Sequence, residues 1–349
     1  MCMTDIVALR SLDFRPPPLT MFVLTPDLEL LESQCKNLLD FFGSGLIAHG
    51  AIETVYLSFC SSGRPTLWQT LFEVILHSGI ADFEVYQEDP SLDIRPSRSL
   101  QKRRRKAPEL LYPSLTKFNP EAPFFFSQPV LPWTLDVINS SRLRALTLRC
   151  KQVKKIPWSL ILPLVSVPSL RRFEIGGHIN MLTLTDFLHN HPALEELYVN
   201  ADSDSELLTF RPTRVPPRHP SLLHLKTLHA PASYLIELIG AAAWGSSASL
   251  TWLHILPDCH ASYAFQPCVE HILREVADME ILQTISIQVP PDVGKCTTPW
   301  CSPPVPLGPD PYARLGELTF SPVGDHDSYY AFSDVFMVRW STPSAIPCE

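Results

Sequence analysis

The chain has 349 residues, 45% hydrophobic and 18% charged: enough apolar material for a sizeable core and too little charge for a disordered chain. A net charge of −8 disfavours polyanion binding by the protein as a whole. Its 35 prolines are about twice the usual share and its 13 glycines about half, which suits many stiff corners and argues against glycine-built phosphate loops.

Residues 1–15 carry acids and arginines with no apolar h-region, so no signal peptide is visible. The phrase Leu-x-x-Leu-x-Leu, in degenerate form, starts at Leu9 and returns at Ile52, Ile80, Leu115, Leu143, Leu170, Leu194, Leu225, Leu250, Leu282 and Leu315. From Ile52 onward the onsets lie 24 to 35 residues apart, a period that marks stacked repeats. The clearest copies are Leu143/Leu146/Leu148, Leu170/Phe173/Ile175 and Leu194/Leu197/Val199.

The intervening segments predict helices. Leu28, Leu31, Cys35, Leu38, Leu39 and Phe42 share one helical stripe. Thr66 and Gln69 predict a capping-box start for a helix through His77. Residues 87–108 are polar and basic and predict a surface loop. The apolar run 157–168 contains Pro163 and is too short to span a bilayer. Thr185-Asp186 is expected to cap a short helix ending at His191-Pro192, and Ser233 to start one reaching Trp244. Phe265, Val269, Ile272, Leu273 and Val276 form the cleanest amphipathic stripe. Residues 290–311, with eight prolines, predict a second loop. Three onsets follow Pro-[Ser/Ala]-Leu, at Pro113, Pro168 and Pro192, as a helix-to-strand corner requires.

A strand and its return helix cannot bury an apolar face alone, so the units must stack. The expectation is one α/β domain of about ten to eleven irregular repeats: a right-handed solenoid, or horseshoe, with a parallel concave sheet and outer helices. The nine cysteines show no disulfide framework, which points to free thiols in a reducing compartment.

Leu143-Arg-Ala-Leu-Thr-Leu148, Ser169-Leu-Arg-Arg-Phe-Glu-Ile175, Phe187-Leu-His-Asn-His-Pro-Ala-Leu-Glu-Glu-Leu197, and Leu225-Lys-Thr-Leu-His-Ala-Pro231 followed by Tyr234-Leu235, resemble leucine-rich repeats, in particular the divergent repeat regions of fungal F-box proteins. The resemblance covers most of the chain in short, degenerate motifs. It implies target recognition by the repeats, with a separate N-terminal F-box docking the Skp adaptor of a cullin ubiquitin ligase. Two departures stand out. The Asn or Cys expected three residues after the last strand leucine is replaced by Cys60, His178, Asp202 and Asp258 in four repeats, and by Lys151 or Pro290 in others, which breaks the cap ladder. No F-box is visible either: residues 25–42 lack the Leu-Pro start. Either the F-box was lost or the sequence is a fragment, and the Skp adaptor is a partner only if an F-box lies upstream.

Strand alternation sends the residue between the last two apolar positions to the concave face: Tyr56, Glu84, Asn119, Thr147, Glu174, Tyr198, His229, His254, Ser286 and Thr319. Arg172, Glu196 and Trp252 fall in the flanking column. The expected protein-binding face is Arg172, Glu174, Glu196, Tyr198, His229, Trp252 and His254; the alternative, solvated strand residues without a partner, stays open. Lys102, Arg103, Arg104, Arg105 and Lys106 read as a nuclear-localisation tract, a contact for an acidic partner, or a solvated loop. No aromatic residue interleaves that tract, which disfavours nucleic acid.

Cys296 with Cys301, Cys259-His260 and Cys268 with His271 do not complete a tetrahedral metal set, and His189 and His191 suit carbonyl capping instead. Gly-x-Ser-x-Gly, His-Glu-x-x-His and Rossmann glycine patterns are missing. The sequence reading is therefore a non-enzymatic interaction module, cytoplasmic or nuclear, with no catalytic residues, cofactor, metal, nucleic-acid or membrane partner, or alternatively a repeat scaffold or adaptor unrelated to ubiquitin.

Overall fold

The structure is a computed structural model that describes residues 19–25, 28–44, 48–59, 65–87, 110–127, 129–149, 156, 158–177, 179–200, 222–241, 249–258, 262–277, 279, 281–289 and 317–322. Eleven strands lie among them: β1 (Leu19–Thr25), β2 (Ile52–Phe59), β3 (Asp82–Gln87), β4 (Lys117–Pro120), β5 (Ala145–Leu148), β6 (Arg172–Gly176), β7 (Glu196–Asn200), β8 (Thr227–Pro231), β9 (Trp252–Leu256), β10 (Thr284–Val289) and β11 (Glu317–Pro322). The α-helices among the described residues are α1 (Leu28–Gly43), α2 (Pro65–His77), α3 (Val130–Asn139), α4 (Trp158–Ile161), α5 (Met181–Asn190), α6 (Ala232–Ala241) and α7 (Ser262–Val276). A 3-10 turn over Pro123–Phe126 precedes α3, and a second, Leu162–Leu164, extends α4.

The strands form one sheet whose spatial order is the chain order, and every adjacent pair is parallel. The sheet is open, with β1 and β11 at its edges. The middle apolar position of the repeated phrase runs in unbroken register as Val55, Phe83, Phe118, Leu146, Phe173, Leu197, Leu228, Leu253, Ile285 and Leu318. From Val55 through Ile285 every member of that column is fully buried. One residue of slip would turn the whole column to the other face, so burial locks the register.

Two local devices recur at the strand starts. A backbone bond closes the corner, from Leu115 to Tyr112, Leu170 to Val167, Leu194 to His191 and Leu225 to Leu222. In the first three, proline occupies the second turn position, where its fixed φ is already suited to a β-turn. Then two successive N–H groups donate to one carbonyl of the preceding unit: Arg144 and Ala145 to Thr116, Arg171 and Arg172 to Arg144, and Glu195 and Glu196 to Arg171. Lys226 and Thr227 donate likewise to Glu195, Thr251 and Trp252 to Lys226, and Gln283 and Thr284 to Thr251.

The helices pack on one another in chain order over the apolar side of the sheet, and strand and helix side chains share one continuous core. Part of it is an aromatic cluster. Phe72 of α2 lies 5.3 Å from Phe83, 5.4 Å from Phe125, 5.7 Å from Trp68, 5.9 Å from Phe124 and 6.0 Å from Trp133, centroid to centroid. Such offset and edge contacts favour aromatic pairs beyond their buried area. Trp158 of α4 is also buried and donates its indole N–H to the Gly176 carbonyl at 3.0 Å. Among the described residues no helix is long and apolar enough to cross a membrane. Among the described residues Cys35 and Cys268 are in no disulfide.

Several sequence expectations are met differently in the structure, and others fall outside the described residues. Strand β1 has no counterpart in the phrase count; the copy expected at Leu9 lies outside the described residues. Helix α2 opens at Pro65, so Thr66 sits inside its first turn, and Gln69 bonds forward to Glu73 at 3.2 Å instead of closing a capping box. Helix α5 starts at Met181 under Asn180, whose Oδ1 accepts from Leu182 N at 2.8 Å. Thr185 is mid-helix and buried, its hydroxyl donating to the Leu182 carbonyl, so it caps nothing. Helix α6 starts at Ala232, and residues 242–248 lie outside the described set. The Phe124–Phe126 turn and α3 were not anticipated. The 87–108 loop starts inside β3, whose last residue is Gln87; the rest of it, and all of 290–311, lie outside the described residues.

Candidate functional site

The face opposite the helices carries the remaining strand positions, and the predicted column exists as a register. Glu174, Tyr198, His229, His254, Ser286 and Thr319 are successive partners across β6–β11, with Thr147 beside Glu174. Arg172, Glu196, Thr227, Trp252 and Thr284 form the column next to it. All seven residues expected to bind protein therefore fall on one patch spanning β6–β9.

That patch is aromatic at its centre and charge-paired at its margin. The Arg172 guanidinium lies 4.6 Å above the centroid of Tyr198, and its Nη1 is 3.4 Å from Glu196 Oε2. Tyr198 donates its hydroxyl to Glu196 Oε2 at 3.1 Å. Tyr198 and His229 are 5.6 Å apart, and the His229 and His254 rings stack at 4.4 Å with 10° between planes. Trp252 flanks them and is 41% exposed, one of the few large apolar side chains left to solvent among the described residues. Burial, then the neighbouring His254 and Arg149, pull His229 down to about 4, and burial lowers His254 as well. Both imidazoles are therefore neutral at pH 7, each with one N–H to donate and one ring nitrogen to accept.

Arg149, just past β5, was missed by the strand-phrase reading. Its Nη1 donates to Glu174 Oε1 at 2.9 Å, and Asn200 Nδ2 donates to the same oxygen at 2.8 Å. Gly176 makes room for it: a Cβ there would sit 2.8 Å from Arg149 Cγ. The signal was present in the Gly176-Gly177 pair that ends β6.

The other three column members behave differently. Glu84 and Asn119 are only 4% and 6% exposed, bound into a network with Tyr56, Tyr86, Lys117 and Glu121. Burial raises the Glu84 carboxyl, but hydrogen bonds from Lys117 and Tyr86 outweigh it and the net shift is downward. Tyr86 is pushed up by burial and by its bond to Glu84. This network holds β2, β3 and β4 together and presents little free surface, so Tyr56, Glu84 and Asn119 separate from the aromatic patch.

No third ligand joins the two stacked histidines: among the described residues no group of three or more His, Cys, Asp or Glu is arranged for a metal ion. The lone pairs of parallel stacked rings also run side by side rather than converge on one ion. His191 is structural. Its Nδ1–H donates to the Phe187 carbonyl at 2.8 Å, and its Nε2 accepts from Val167 N at 3.3 Å. Asp258 accepts from the Ser233 N–H at 3.1 Å and so caps α6 from the next unit. The basic tract Lys102–Lys106, and Cys259, His260, Cys296 and Cys301, lie outside the described residues. The arrangement offers aromatic faces, neutral imidazoles and paired charges, which suits binding another surface. Comparison with protein-family models and with curated proteins finds no match.

Proposed function

We propose that the chain is a non-enzymatic protein–protein interaction module that takes another protein on the face of its sheet that is free of helices among the described residues. In this reading it is a leucine-rich-repeat-like right-handed solenoid, a horseshoe with that face concave and the helices outside. Strand order equal to chain order supports it, together with the strong right-handed preference of parallel crossovers. The observation that carries the function is the continuous row Tyr198, His229 and His254 beside an exposed Trp252. Rigid aromatic side chains on strands lose little freedom when covered, and such residues dominate interface energetics.

By resemblance, the partner is the target of an F-box-type (Skp–cullin–F-box) ubiquitin ligase, met in the cytoplasm or nucleus. A stand-alone repeat scaffold or adaptor is the second reading. It is favoured by the position of α1, which crosses from β1 to β2 as part of the repeat stack. Affinity purification of the tagged full chain and of Trp252→Ala, followed by mass spectrometry, tests both. A reproducible partner lost on Trp252→Ala is expected, with the melting temperature unchanged. Co-recovery of the Skp adaptor and a cullin assigns the ligase role, and a partner without them assigns the scaffold. Losses confined to variants outside the aromatic row would refute the face.

A further inference from the structure

The strand starts of β5–β8 carry a rim of opposite sign to the chain. The backbone ladder sets Arg144, Arg171, Glu195 and Lys226 side by side, one per unit. Arg172 and Glu196 follow immediately in β6 and β7, and Arg142 precedes β5. That makes five cations against two carboxylates on a molecule of net charge −8. The side chains of Arg171 and Lys226 are 63% and 57% exposed, and Arg142 and Arg144 are exposed as well.

Glu195 shows what this rim does with a carboxylate. It sits between its two ladder neighbours, accepting from Arg171 and, at 2.7 Å, from Lys226. The Lys226 ammonium, together with Arg171, holds its carboxyl below the usual range. One step along the same ladder, Arg144 and Arg171 stand on adjacent rungs, about 4.8 Å from strand to strand, whereas Arg171 and Lys226 lie two rungs apart with Glu195 on the rung between them. Here the ladder supplies no acid: the position beyond Arg144 is Thr116. Among the described residues no carboxylate pairs with Arg142 or Arg144. The rim adjoins the aromatic row directly, because Arg172 lies over Tyr198.

We propose that this rim seats an acidic, Asp/Glu-bearing segment of the bound protein, with a carboxylate held between the side chains of the adjacent Arg144 and Arg171. The inference rests on the helix-free face being a polypeptide-binding surface, and adds the chemistry of what it selects. A polypeptide fits better than a nucleic acid. The rim spans four strands, roughly 15 Å, and the surrounding negative charge repels a long polyanion.

The test is fluorescence anisotropy of the full chain with short synthetic peptides that share aromatic residues but are acidic, neutral or basic, at low and high salt. Acidic peptides are expected to bind about tenfold more tightly than neutral ones at low salt, the advantage shrinking as salt rises. The exposed double variant Arg144→Gln/Arg171→Gln removes that advantage while keeping the wild-type melting temperature. Trp252→Ala weakens all compositions and keeps the acidic preference. The inference is overturned if the preference survives the double variant, if neutral or basic peptides bind equally well, or if oligo-dT binds as tightly as the acidic peptide. Binding of no peptide at all would instead remove the face itself, and the inference with it.

Discussion

Phe72→Ala is the substitution whose consequences the fold specifies most fully. Phe72 is completely buried and ringed by five aromatic side chains within 6.0 Å. Removing the ring forfeits about 2–3 kcal/mol of transfer free energy. Packed rings cannot collapse into the space freely, so a residual cavity of ~50–100 Å³, at about 24 cal/mol per Å³, adds ~1–2.5 kcal/mol. The expected cost is therefore about 3–5 kcal/mol. It should also be local, because the substantial element-to-element packing joins neighbours in chain order. Hydrogen-exchange mass spectrometry reads both quantities. Amides of β2, β3 and β4 should lose protection by that amount, while β8, β9 and β10 keep theirs. A Leu253→Ala control in β9, also fully buried, should show the mirror pattern. Equal loss across the sheet, or a loss under about 1 kcal/mol, would refute the packing argument.

Two further outcomes follow from individual contacts. His191, His229 and His254 all have folded-state values below the ordinary histidine value of 6.5. Their contribution to stability is thus full above pH 6.5 and is lost as pH falls through the folded values. For His229 the fall to about 4 corresponds to about 2–3 kcal/mol after allowance for its partial exposure. Urea midpoints measured from pH 7 to 4 should decline accordingly, and a His229→Gln/His254→Gln variant should flatten part of the slope. Asn180→Ala removes the α5 cap and should cost about 1 kcal/mol by the same assay, while Asn180→Asp should retain most of it.

The sheet was legible in the sequence because its signal repeats: one missed phrase is outvoted by its neighbours, and alternation then dictates which residues reach each face. Even the weak copy at Leu115 and Phe118 proved to be β4, its register set by Phe83 and Leu146 on either side. Strand β1 escaped because its alternation, Leu19-x-Met21, lacks the leucine three residues earlier, the corner residue that identifies the other strands. Helix starts were read less well. Thr185 resembles a cap in composition, yet the side chain that satisfies the end is Asn180, and only the fold decides which polar residue meets the free N–H groups. The Phe124–Phe126 turn carries no amphipathic period, since the whole segment is buried. Within the site, the columns could be written down beforehand. The burial of Glu84 and Asn119 could not, because it depends on Tyr86, Lys117 and Glu121 closing over them.

The paired N–H bonds to a single carbonyl at the starts of β4 to β10 have a consequence for how the molecule can change. Each joint is rebuilt from the preceding unit alone, although the stretch of chain between joints varies from 24 to 35 residues. The sheet is thus ruled like graph paper, one rung per unit at about 4.8 Å, and the crossovers hang from it as slack. Residues added to a crossover leave every rung where it was. A single residue added inside a strand turns Tyr198, His229 or His254 into the core and brings a leucine out in its place. A partner's footprint on this face is therefore counted in whole units, and what the surface displays is edited one rung at a time.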